Sequence, residues 1–218
     1  MPMLVRPGML IALALALAGT GLTAGAPGKG LGLSSDQADN SGNTFTSAAS
    51  FCRSSSTGLL DPSANAADTG GNGDGFELNP TNAYADGGGY ASNVNGPGDR
   101  HRFYDYNVGV PGGCTVNGIE VRLDWWLDSM SDATSMSVEL SWDGGSTWTA
   151  PYSDSVKSTT EHTALLGGSA DTWGHSWTID ELSSANFRVR LTCNCSGGGC
   201  SSRSYYLDWV PVDVYYAP

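Results

Sequence analysis

The strictest constraint on the fold is an alternation of period two. In "IEVRLDWW", Ile119, Val121, Leu123 and Trp125 fall on one side of an extended chain, and Glu120, Arg122 and Asp124 on the other. Successive side chains of a strand point to opposite faces, so the pattern predicts an antiparallel strand with one face buried and one wet. Met136, Val138, Leu140 and Trp142 repeat the alternation, as do Phe187, Val189, Leu191 and Cys193. In "TWGHSWTI", Trp173, His175, Trp177 and Ile179 share a parity, which predicts a strand with His175 packed on its apolar face. Adding Phe45, the stretch from Arg102 to Val108 and the run from Tyr205 to Tyr216 gives roughly eight to ten short strands and no convincing helix. That count describes an all-β, jelly-roll-like β-sandwich of antiparallel strands.

In the last of these runs Val210, Val212 and Val214 share a face with Asp208, while Pro211 has the opposite parity. A buried carboxylate without partners is costly. Asp208 must therefore be hydrogen-bonded or bind a cation, unless a bulge at Pro211 shifts the register.

The N-terminus carries Arg6 and then "MLIALALALAG", the flank and length of a secretory signal peptide, with cleavage favoured after Ala24. Residues 1–24 are thus expected to be removed, leaving a secreted protein of the extracellular space or cell surface with no membrane segment. Residues 25–47 are small, polar and Gly-rich, with only Leu31, Leu33 and Phe45 to bury, and read as an extended N-terminal arm. Residues 48–218 form the sandwich domain. Of the five cysteines, Cys200 can fold back over a Gly-rich turn to Cys193 or Cys195, leaving Cys52 and Cys114 as a long-range pair. The fifth thiol is free or bonds to another chain. The C-x-C-x4-C spacing lacks the fourth ligand and nearby histidine that a zinc site requires.

A net charge of −12 with no Lys/Arg cluster excludes nucleic acid as a partner. The loop "DTGGNGDGFE" gathers Asp68, Asn72, Asp74 and Glu77, oxygen donors of the kind that calcium takes six to eight of. Calcium would order a loop with so little to bury; the alternative is a solvated, mobile loop. Three histidines, His101, His162 and His175, lack ligand spacing, and no nucleophile elbow or zinc-protease motif occurs, so the chain reads as a non-enzyme. Among the tryptophans, Trp126 alone of its strand sits on the polar parity, which makes it the exposed platform on which a glycan would stack.

Two stretches carry a family resemblance. Ser141, Asp143, Gly145, Thr147 and Trp148 of "SWDGGSTWT" match the S-x-D-x-G-x-T-W pattern of the Asp-box of sialidase-type β-propellers. With one copy and no repeat of blade length, the match implies a hairpin turn rather than a propeller or an active site. "SSDQADNSGNTFTSA" resembles the segment after the signal peptide in TasA/camelysin-type filament subunits, through Ser35-Asp36 and Gly42-Asn43-Thr44-Phe45-Thr46, although Ala48 stands where glycine is usual. This resemblance implies a self-assembling subunit of an extracellular filament, in which the arm completes a neighbour's sheet as a donor strand. The other reading is a calcium-stabilised carbohydrate-binding module that meets surface glycans.

Overall fold

A computed structural model describes residues 52–218. Eleven strands, all paired antiparallel, form two packed sheets. Sheet A contains β1 (Ser55–Ser56), β3 (Ala91–Asn93), β5 (Thr115–Leu127), β8 (His162–Gly167), β10 (Tyr205–Trp209) and β11 (Val212–Ala217). Sheet B contains β2 (Ala64–Asp68), β4 (Arg100–Tyr104), β6 (Ala133–Ser141), β7 (Tyr152–Asp154) and β9 (Arg188–Ser196). Only the β6–β7 and β10–β11 connections stay within a sheet; every other one crosses between the two, as in a jelly roll. The total exceeds the expected eight to ten because several strands, β1 among them, are only two or three residues long. Among the described residues helix is limited to short 3-10 turns, and none is long and apolar enough to cross a membrane.

β5 is the axis of sheet A. β10 and β11 run along one edge of it as a nearly continuous partner, and β8 lines the other edge. Its alternation does what the sequence requires. Ile119, Val121, Leu123 and Trp125 are fully buried against sheet B, from which Met136, Val138, Leu140, Val189 and Leu191 point back. Each such side chain contributes about 1.5–3 kcal/mol on burial, so a one-residue slip of β5 would lose several of these terms together.

The segment from Trp173 to Ile179 departs from its expected strand. Positive φ at Trp173 (57°) and Gly174 (73°) reverses the chain, and the alternating rings serve a loop. His175 is nevertheless packed, stacked 3.9 Å from Trp142 and edge-on to Trp177, with Glu181 on its Nε2.

"SWDGGSTWT" lies in the β6–β7 connection, in sheet B. Asp143 Oδ1 accepts the Ser146 and Thr147 N–H groups at 3.0 and 2.7 Å and the Ser141 hydroxyl at 2.9 Å. Gly144 and Gly145 take φ of 75° and 101°, which a side chain would strain. The Trp148 ring then lies under the Arg190 guanidinium, 3.9 Å away, on the outer face of β9.

Disulfides join Cys52 to Cys114 and Cys195 to Cys200. The remaining thiol, Cys193, is buried at 1% exposure, which removes the option of a bond to another chain.

Candidate functional site

The outer face of sheet A carries an unusual surface. Trp126 and Tyr206 are cross-strand partners on β5 and β10, and both point away from the core because Trp125 and Leu207 beside them point in. Their rings lie 5.5 Å apart and are inclined by 30°. Tyr90, from the Gly-rich loop before β3, stands nearly perpendicular to both, at 5.0 Å from Trp126 and 5.3 Å from Tyr206, and is 47% exposed. The result is an aromatic corner, with two rings as floor and one as wall. Burial first, then Asp128 and Tyr90, raises the Tyr206 phenol above its usual range, so its hydroxyl stays protonated.

Beyond the rings the same face turns acidic. Asp124 follows on β5, fully buried, accepting the Thr163 hydroxyl at 2.6 Å and pairing with Arg122 at 2.8 Å. The Arg122 guanidinium in turn covers the Trp209 ring at 4.6 Å, and the Trp209 indole N–H donates to Asp61 at 2.7 Å. Asp208 occupies a bulge between Leu207 and Trp209, and its Oδ2 accepts the Gly87 N–H at 2.9 Å. The register change therefore falls at Asp208 itself, and Pro211 separates β10 from β11. Glu161, just before β8, is raised above the ordinary carboxylate value by burial and then by Asp208, Asp124 and Asp86. Three carboxylates, Asp124, Asp208 and Glu161, and the Arg122 guanidinium thus lie on this face beyond the aromatic corner.

The residues expected to hold calcium are dispersed. Asp68, on β2, faces Arg190 at 3.4 Å and Arg102 at 3.8 Å. Asn72 uses its Oδ1 to accept the Asp74 N–H at 3.0 Å, and the Asp74 side chain lies on an exposed stretch. Glu77 turns away to accept the Val94 N–H at 2.8 Å through Oε1. The carboxylates of Asp68, Asp74 and Glu77 do not close into one cluster. What ties this loop down is Asp99, whose Oδ1 accepts the N–H groups of Asn72 and Gly73 at 2.6 and 3.3 Å, together with buried Phe76 packed edge-on to His101. His101 Nδ1 accepts the Phe76 N–H at 3.1 Å and Nε2 meets Asn65 at 2.9 Å; burial, then Arg102, lowers its pKa to about 4, so the ring is neutral. Among the described residues the one trio of close metal-ligand types is Asp132, Cys195 and Cys200, but its two sulfurs are joined as a disulfide and Asp132 is paired with Arg203.

Leu31, Leu33 and Phe45, the residues expected to form a donated arm, lie outside the described residues. Sequence reasoning singled out Trp126 but missed Tyr90 and Tyr206. Tyr90 sits in a loop whose composition reads as a turn, and Tyr206 becomes its neighbour only through the β5–β10 register. A groove of about 500 Å³ opens elsewhere, lined by Gly98, Thr134, Ser135, Ser155 and Asn194, and it offers neither an aromatic ring nor a free ionisable group.

No family model and no curated protein matches the chain. Among solved structures it is similar to a truncated AlyQ with CBM32 and alginate lyase domains, at 17% identity and a TM-score of 0.36, over 75% of this chain and 34% of that one. It is also similar to the CBM32 of AlyQ in complex with 4,5-unsaturated mannuronic acid, at 18% identity and a TM-score of 0.34, over 71% of this chain and 96% of that one.

Proposed function

We propose that the chain is a secreted, non-enzymatic β-sandwich that binds glycans on the outer face of sheet A. The observation that carries this reading is the aromatic corner of Trp126, Tyr206 and Tyr90 beside a row of hydrogen-bonding side chains. A pyranose presents C–H groups on its faces and hydroxyls at its rim. The faces stack on indole and phenol rings, and the hydroxyls need acceptors and donors within reach. Trp126 and Tyr206 supply the floor, Tyr90 bounds it, and exposed Glu161 and part-exposed Arg122 supply such groups on the same face, while buried Asp124 anchors Arg122 and buried Asp208 anchors the loop of Gly87 and Tyr90.

Charge narrows the class of sugar. Carboxylates outnumber Arg122 on this face, and the whole chain carries −12, so a uronate or sulfated glycan meets repulsion on approach and beside the rings. Neutral or amino sugars fit the site. The two disulfides fit an extracellular location, in keeping with the export signal at the N-terminus.

The test is a glycan array and titration calorimetry on the mature chain, with Trp126→Ala and Tyr206→Ala. Binding to neutral or amino glycans is expected, weakened at least about tenfold by Trp126→Ala, equivalent to about 1.4 kcal/mol, with the fold intact. A chain that binds no glycan, or that binds equally well without Trp126, overturns the proposal.

A further inference from the structure

Three side-chain oxygens near the start of the sandwich are buried and have no donor: Glu77 Oε2, Asn93 Oδ1 and Asp99 Oδ2. Asn93 and Asp99 are 0% and 1% exposed. The rest of each side chain is accounted for. Asn93 Nδ2 donates to the Gly96 carbonyl at 3.1 Å, Asp99 Oδ1 takes the Asn72 and Gly73 N–H groups, and Glu77 Oε1 takes the Val94 N–H. The leftover oxygens are therefore aimed by fixed partners rather than turned to solvent. Among the described residues no Lys, Arg or His pairs with Asp99 or Glu77.

Two of the oxygens converge. A Cβ on Gly96 would overlap both Asn93 Oδ1 and Asp99 Oδ2, which places them within about 4 Å of each other across a spot that only glycine leaves open. Glu77 approaches the same turn, bonded to Val94 beside Asn93. Two acceptors that face each other in a buried spot need a proton or a cation between them, and Asp99 and Glu77 bring up to two formal negative charges to this one. Buried charges are paired or coordinate metals.

We propose that Glu77 Oε2, Asn93 Oδ1 and Asp99 Oδ2 are ligands of one hard divalent cation, Ca²⁺, which ties the loop from Asn72 to Glu77 to the turn from Asn93 to Asp99. An all-oxygen set of carboxylates and an amide suits calcium, whose ligands lie at about 2.3–2.6 Å and whose remaining positions backbone carbonyls and water complete. Zinc and other borderline metals favour imidazole or thiolate. The nearest thiol, Cys193, is pushed well above its usual range by burial and stays neutral. This site keeps Glu77 from the acidic loop but takes its other side chains from a turn roughly 20 residues downstream, with Asp68 left to its arginines. It is independent of the glycan surface.

The mature full-length chain, freed of metal with EDTA, is titrated with CaCl₂ or MgCl₂ by calorimetry and melted with and without calcium. The expected result is calcium binding with little response to magnesium, and a Tm raised by roughly 5–10 °C at a hundredfold excess over Kd. Asp99→Asn and Glu77→Gln each lose most of that rise, while Asp74→Asn keeps it. If Asp99→Asn fails to fold, Glu77→Gln carries the test alone, because its one amide oxygen can still accept the Val94 N–H while the amide nitrogen replaces the ligand oxygen. Identical melts in calcium and EDTA with no heat of binding overturn the site, as does a rise that survives in the two ligand variants.

Discussion

Arg190 offers a sharp test of whether "SWDGGSTWT" is a fold element. Its side chain lies on the outer face of β9, 11% exposed, with three partners. Nε and Nη2 donate to the two Glu139 oxygens at 2.9 Å each, Nη1 lies 3.4 Å from Asp68, and the guanidinium covers the Trp148 ring at 3.9 Å. Arg190→Met keeps the stem and removes the fork. Charge-assisted hydrogen bonds contribute about 1.5–3 kcal/mol each and a desolvated cation–π contact about 2 kcal/mol. The sum overstates the loss, because Glu139 and Asp68 are 15% exposed and can recover water, and Asp68 keeps Arg102. A net cost of about 3 kcal/mol is expected, or a Tm lowered by about 6–12 °C for a domain of this size. Arg190→Lys retains charge without the planar fork and should fall between the two. Urea unfolding of Arg190→Met, Trp148→Leu and the double variant gives the coupling directly, expected near 1 kcal/mol. A loss below about 0.5 kcal/mol in Arg190→Met, or no coupling to Trp148, would refute the view that the turn is locked onto sheet B through this contact.

Two further outcomes follow from single groups. Burial works to raise Asp143, but donors from Thr147, Ser141 and Ser146 outweigh it and hold the carboxyl below its ordinary value. A folded value below the unfolded one means that the ionised carboxylate adds stability in full above about pH 4, and that this contribution fades as pH falls through the folded value. The stability gap between the wild type and Asp143→Asn, followed by melts across pH, should be largest near neutrality and close in acid; a gap that widens in acid contradicts the assignment. Cys193 should remain unmodified by a thiol reagent for as long as the native state persists and react once per chain in denaturant, whereas fast native labelling would show that the burial is wrong.

How much of this was legible depended on whether neighbours in sequence or neighbours across a sheet decide a residue's surroundings. The faces of β5 were readable because Ile119, Val121, Leu123 and Trp125 fix one side by themselves, and Trp126 follows as the odd residue out. The same rule misread the stretch from Trp173 to Ile179, since a parity count cannot register two consecutive residues in the left-handed region. Composition located the acidic loop, yet it could not place Glu77 on the Val94 N–H or Asn93 opposite Asp99, contacts made only after the segments beyond the loop fold back. Tyr206 is the clearest case. Its place beside Trp126 depends on where the β10 register changes, and that point is Asp208, held by the Gly87 N–H from the loop that also presents Tyr90. With the irregularity on the far side of Tyr206 instead, its pairing to β5 would shift by one residue, and in a pleated sheet that turns a side chain to the other face. One buried carboxylate thus brings together the loop, the bulge and the ring, which is why the aromatic corner is a property of the folded sheet and is not written in any single segment.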